Sequence, residues 1–259
     1  MEVITISPRG YCYGVVDAMV LARTIAADPQ ASRPIHVLGM LVHNRQVTEA
    51  YEALGVICLD REDATRLDLL EGIDEGTVVL TAHGVSPEVR LRALAKGLTL
   101  VDATCPDVTR THELIAAHVA EGGWVLYVGK RGHPEPEGAC GVAPGRVTLV
   151  SHENEIAALA ESEGPLLVTN QTTMSAWDIE PVIAAITERF PSAVVHTEIC
   201  TATQVRQEAV ATQAKDADLL IVVGDPRSNN SMRLVDVGQR IAGVRSVQVA
   251  SVEEVDPKI

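Results

Sequence analysis

Three cysteines stand where short aliphatic runs give way to helical patterns. They are Cys12 in ITISPRGYCYGVVDAMVLA, Cys105 in LTLVDATCPDVTRTHELIA and Cys200 in VVHTEICTATQVRQEAVA, separated by 93 and 95 residues. Helix N-termini stabilise thiolates and other anions. Three such thiols at one centre therefore suit an iron–sulfur cluster, and a [4Fe–4S] cube with three cysteine ligands leaves one iron open to a substrate. Spacing alone leaves three ordinary buried cysteines as an equal alternative. Zinc is the weaker rival, because its sites usually show ligand pairs at short spacing. Cys58 and Cys140 fall outside this plan and read as core or incidental residues.

Further polar groups follow each cysteine at matching distances. His43 (GMLVHN) comes 31 residues after Cys12 and His83 (LTAHGV) another 40 later. His133 (VGKRGHPEPEG) and Thr172 (VTNQTTMS) follow Cys105 at steps of 28 and 39, and Ser228 (VVGDPRSNNS) follows Cys200 by 28. Histidines near strand ends donate hydrogen bonds to anions and are tuned easily near neutral pH. Ser228, Asn229, Asn230 and Ser231 add short hydroxyl and amide donors ahead of a helical pattern, which suits an anion seat or a simple capping turn. Glu135 and Glu137 lie in a Gly- and Pro-rich turn. A carboxylate facing a buried centre has a raised pKa and can deliver a proton, whereas a solvated one is only loop charge.

These groups need a scaffold that brings strand ends together. Aliphatic runs at 2–6, Ile35–Leu38, Thr77–Leu80, 98–101, Trp124–Val128, 166–168, 193–195 and 219–223 alternate with helical patterns such as Pro87–Ala95 and 113–120. Alternating strands and helices imply parallel sheets with right-handed crossovers, and ligands sit beyond the carboxyl ends of such strands. The repeated plan implies three small α/β domains, a trefoil with parallel sheets in a pseudo-threefold arrangement about a central cluster. The expected division is 13–97, 98–192 and 193–259, joined by an N-terminal strand within 1–12. A third unit on this plan needs one more polar strand end near position 268, and the chain as given stops at Ile259.

Composition narrows the partners. The 259 residues are 46% hydrophobic and 22% charged, which excludes disorder. Only seven are aromatic, so the core must be aliphatic. A net charge of −14 argues against a nucleic-acid partner. No apolar run reaches membrane-spanning length, and MEVITISPRG lacks signal-peptide regions, so the expectation is a cytoplasmic protein that uses its five cysteines for a metal or catalysis rather than disulfides.

The motifs PRGYCYGV, LVHN, TAHGV, DATCPDVT, GHPEPEG, NQTTMS, EICTATQVRQEAV and GDPRSNNS, in this order and spacing, resemble the 4-hydroxy-3-methylbut-2-enyl diphosphate reductase family of the non-mevalonate isoprenoid pathway. The resemblance covers essentially the whole chain. It implies a [4Fe–4S] cluster on Cys12, Cys105 and Cys200, and a diphosphate held by His43, His83, His133, Ser228 and Asn230. Asn229 stands where many members have a second serine. Glu135 is implied as the proton-delivering acid and Thr172 as the hydroxyl that positions it against the substrate alcohol. The implied reaction is reductive dehydroxylation to isopentenyl and dimethylallyl diphosphate, with electrons from ferredoxin or flavodoxin docked at a local basic patch such as Lys130 and Arg131. Family members continue into a serine turn that also grips the diphosphate. On that comparison the 259-residue chain is expected to bind diphosphate weakly and to have a less stable third unit. The competing readings are a catalytically weakened diphosphate-binding or cluster-carrying relative, and a metal-free isomerase of phosphosugars.

Overall fold

The computed structural model describes residues 2–61, 63–160 and 163–255. The first part of the chain runs α1 (Tyr13–Ala27), β1 (Ile35–Leu38), α2 (Arg45–Glu52), β2 (Val56–Leu59), α3 (Arg66–Glu71), β3 (Thr77–Leu80), α4 (Pro87–Ala95) and β4 (Thr99–Asp102). Next come α5 (Pro106–Ala120), β5 (Trp124–Val128), α6 (Pro134–Cys140), β6 (Val147–Val150), β7 (Leu166–Asn170), α7 (Ala176–Arg189) and β8 (Val194–Val195). The last part holds α8 (Thr201–Gln213), β9 (Leu220–Val223), α9 (Asn229–Val237) and β10 (Ser246–Val249). The strands form three parallel sheets, ordered β2-β1-β3-β4, β6-β5-β7-β8 and β10-β9.

The first two sheets are covered on both faces, which is why Val78–Leu80 of β3 and Trp124–Val128 of β5 are apolar on both sides. In β3, Val79 faces α1 and its Ala18 and Ala22, while Val78 and Leu80 face Leu70 and Val89 on the opposite side. In β5, Leu126 and Val128 pack with α7, and Val125 and Tyr127 pack with Ile115 of α5 and Ala139 of α6. Small alanines on α1 let the helix lie close to its sheet without aromatic filler. Ser86 caps α4 by accepting from Val89 N–H, Pro87 occupies the first turn, and Gly97 adopts φ +74° just past its end, as the sequence signals predict.

Two expectations need correction. The sequence division assigned 98–101 to the second unit and 193–195 to the third. Instead β4 completes the first sheet and β8 the second. The last strands of the first and second sheets therefore lead the chain to Cys105 and Cys200. The segment 2–6, expected as a strand, forms no strand and joins no sheet among the described residues. It precedes Cys12 in the chain as β4 and β8 precede Cys105 and Cys200, and its Ile6 packs against the core of the third unit. A strand equivalent to β3 and β7 is not found in the third sheet among the described residues, so 2–6 has no ladder partner. Side chains of α8 serve its flank instead. Gln213 donates to Ser7 C=O (2.6 Å) and accepts from Ser7 N–H (3.1 Å), and Arg206 donates to Gly10 and Tyr11 C=O (3.1 and 3.0 Å). Strands β2, β6 and β10 give little signal in the sequence, since each borders its sheet and has only four residues.

The junction before β3 depends on a glycine. Gly76 adopts φ +95°, and a Cβ there would lie 2.0 Å from Pro34 C=O, the acceptor of Thr77 N–H. Gly76→Ala should lower stability by about 2–4 kcal/mol from strain and overpacking. A chemical denaturation midpoint equal to the parent's would show that the junction yields freely.

Candidate active site

The strand ends assemble one polar centre. His43 ends the loop after β1 and precedes α2, whose cap is Asn44. His83 follows β3, and His133 caps α6 after β5, accepting from Glu135 N–H at 3.2 Å. The three rings approach to centroid separations of 5.6, 5.3 and 6.5 Å, and one nitrogen from each lies within 4.8 Å of the others. His83 Nδ1 contacts Thr81 Oγ1 at 3.2 Å, whereas both His43 nitrogens are buried without partners. Burial lowers all three pKa values. His83 is held well below the usual imidazole range, further opposed by His133 and His43, and His133 is pushed down to about 3. At neutral pH the triad is therefore uncharged.

Three neutral imidazoles at this spacing could hold a cation or donate to an anion. The surrounding charge decides between them. Arg66 acts on all three rings, Lys130 on His133 and Arg227 on His43. Asp60 and Asp225 also reach His43, but both are ion-paired to Arg227 (2.7 and 3.5 Å). A cationic surround opposes a metal ion and favours an anion.

The start of α9 closes this centre from the third unit. Arg227 reaches Met40 Sδ (3.1 Å) and Asp60, and Lys130 Nζ reaches Met232 Sδ (3.9 Å). Ser228 caps α9, accepting from Ser231 N–H at 3.3 Å. Asn229, read from sequence as a serine replacement in the anion seat, is 2% exposed and donates to Thr173 C=O (3.0 Å). Its amide thus anchors the third unit to the second. The Oδ1 atoms of Asn229 and Asn230 are buried and unpartnered.

Glu135 lies two residues past His133 in the same turn and is 2% exposed. Its Oε1 accepts from Thr172 N–H at 2.6 Å and from the Tyr127 hydroxyl at 3.4 Å. Burial raises its pKa to about 7, and the bonds from Thr172 and Tyr127 hold it from going higher. A carboxyl that can carry its proton at neutral pH is suited to donating one. Glu137, its neighbour, accepts instead from Arg66 N–H (2.6 Å).

Cys12, Cys105 and Cys200 are the N-cap residues of α1, α5 and α8. Cys105 N–H bonds Ala82 C=O, next to His83, and Cys200 N–H bonds Thr172 C=O, so equivalent backbone ties place both thiols beside the site (3.1 and 3.0 Å). Burial raises the Cys105 and Cys200 pKa values. N–H groups of Asp107 and Val108 oppose this at Cys105, as the side chain and N–H of Thr203 do at Cys200, and Cys12 acts electrostatically on both. Gly14 leaves a cradle that a Cβ would fill, 2.7 Å from Cys105 Sγ. Three cysteines at helix starts, with donors aimed at Cys105 and Cys200 and room beside Cys105, fit an anionic iron–sulfur cluster. Cys58 and Cys140 pack into separate cores, and burial pushes both thiols up to about 11.

Four participants were not legible in the sequence. Tyr127 and Arg66 sit in an apolar strand and an ordinary helix start. Tyr13 and Asp107, whose side chains hydrogen-bond beside Cys105, belong to motifs in which only the cysteine drew attention.

The chain is similar to known proteins along nearly its whole length. A 4-hydroxy-3-methylbut-2-enyl diphosphate reductase from Geobacillus sp. (strain WCH70) is 58% identical over 256 residues, covering 99% of this chain and 81% of that protein. Its counterpart from Brevibacillus brevis is 62% identical, covering 99% of this chain and 82% of the relative. The solved E-1-hydroxy-2-methyl-but-2-enyl-4-diphosphate reductase of Plasmodium falciparum superposes with TM-score 0.89 at 30% identity, covering 98% of this chain and 77% of that one. A second solved structure, of (E)-4-hydroxy-3-methyl-but-2-enyl diphosphate reductase, gives TM-score 0.69 at 29% identity over 99% and 88% of the two chains. The profile described as LytB protein matches residues 3–259, and with 58% identity to the Geobacillus reductase over 256 residues, this chain belongs to the LytB family.

Proposed function

We propose that the chain reduces 4-hydroxy-3-methylbut-2-enyl diphosphate as the terminal enzyme of the non-mevalonate pathway, removing the allylic hydroxyl to give isopentenyl and dimethylallyl diphosphate. The observation that carries this reading is the single turn that joins His133, in the neutral triad, to the buried acid Glu135. In it an anion seat and a proton donor are placed two residues apart. Overall, the C–O bond breaks, the hydroxyl leaves as water with one proton, and the allylic carbon fragment takes two electrons and a second proton.

The triad donates hydrogen bonds to the diphosphate, with Ser228 and Asn230 at the start of α9 completing the seat. Thr172 and Tyr127 hold Glu135 in place, and Glu135 protonates the departing hydroxyl. Cys12, Cys105 and Cys200 would hold a [4Fe–4S] cluster, which when bound supplies electrons one at a time and keeps one iron free of protein ligands. Ferredoxin or flavodoxin would provide those electrons in the cytoplasm, at a basic patch including Lys130 and Arg131. No helix among the described residues is long and apolar enough to cross a membrane. The division into three units at 13–97, 98–192 and 193–259, adjusted for β4 and β8, belongs to this reading and is supported by one parallel sheet in each.

Anaerobic purification followed by an absorption spectrum and iron analysis tests the cofactor. A brown protein with about four iron atoms per chain is the expected result. A colourless protein, or zinc in place of iron, would refute it.

A further inference from the structure

We propose that Arg66 supplies the permanent positive charge of the diphosphate seat, a role that rests on the anion-seat reading above. Arg66 is 7% exposed at the first turn of α3. Its guanidinium lies flat on Gly39, where a Cβ would stand 2.6 Å from Nη2, four residues before His43. Gly39 adopts φ +107°, so the loop bearing His43 is shaped around this cation.

Among the described residues the guanidinium has no counter-ion within ion-pair distance, and its Nε is buried without a hydrogen-bond partner. Glu137 bonds the backbone N–H of Arg66, and Asp60 pairs with Arg227. Both act on the guanidinium only from beyond that distance. A buried charge left unpaired is costly, and such groups are kept where a ligand completes them. The anion seat needs such a charge, because its three imidazoles are neutral. The other cations near it are committed or peripheral. Arg227 is held by Asp60 and Asp225, and Lys130 approaches only the His133 side.

The test measures binding of inorganic diphosphate by calorimetry to the anaerobically purified holoenzyme. Arg66→Met keeps the aliphatic stem and removes the charge. It should weaken diphosphate about 10- to 100-fold, while the unliganded melting temperature stays equal to or above the parent's, because an unpaired buried charge has gone. Arg66→Lys, with a point charge in place of the fork, should lose less than about tenfold. Arg66→Met affinity within about threefold of the parent would overturn the proposal, and so would a lower unliganded melting temperature, which would mark a structural arginine. His83→Ala separates the two levels. If it weakens binding and Arg66→Met does not, only the Arg66 assignment fails. If neither variant changes binding, or the parent does not bind diphosphate, the seat and this proposal fall together.

Discussion

Glu135→Gln should retain iron and bind the substrate diphosphate near parental affinity, yet lose about 10²–10⁴-fold in turnover. Gln preserves shape and can still accept from Thr172 N–H and the Tyr127 hydroxyl, which hold Glu135 at 2.6 and 3.4 Å. What it lacks is the transferable proton. The pH dependence follows from the same group. Burial lifts the Glu135 pKa to about 7, so the protonated, active form dominates below that pH and is lost as pH rises through it. Parental activity should fall on the alkaline side of about 7, and the residual activity of Glu135→Gln should lack that limb. Turnover within about threefold of the parent would assign the proton to another donor, with His83 the next candidate.

Cys105→Ala should abolish activity outright and strip iron from the anaerobically purified protein, and Cys12→Ala and Cys200→Ala should do the same. Each cysteine caps a helix, and Cys12 acts electrostatically on both Cys105 and Cys200, so removing one ligand would leave two and an open side to the cluster. Cys58→Ala and Cys140→Ala are the controls. Both residues pack in separate cores, so their replacement should cost some stability and no iron. A full iron complement in Cys105→Ala would overturn the ligand assignment.

Much of this arrangement was legible because it is local. Cysteines at strand-to-helix turns, histidines after apolar runs and the Ser86-Pro87 helix start are signals carried by a few adjacent residues. The structure draws His43, His83 and His133 from three separate strand ends into one cluster, as the shared plan of the repeats implies. Pairing was less legible, because strand partners are set by non-local contacts. The run at 2–6 has the composition of a strand but pairs with no strand among the described residues, and β4 and β8 join the sheet before the unit to which sequence order assigns them. Asn229 shows the same limit within the site. Its type suggested an anion donor, and its amide instead ties the third unit to Thr173. Arg66 gave no signal at all, since its significance lies in a missing counter-ion that only the folded surroundings reveal.

The central claim is that these groups act together as a reductase of 4-hydroxy-3-methylbut-2-enyl diphosphate. The most direct measurement is an anaerobic assay of the iron-replete chain with that substrate and a one-electron reductant, following products by chromatography. The account predicts many turnovers, with isopentenyl and dimethylallyl diphosphate formed as substrate disappears. An iron-replete chain that binds the substrate and returns it unchanged would contradict it.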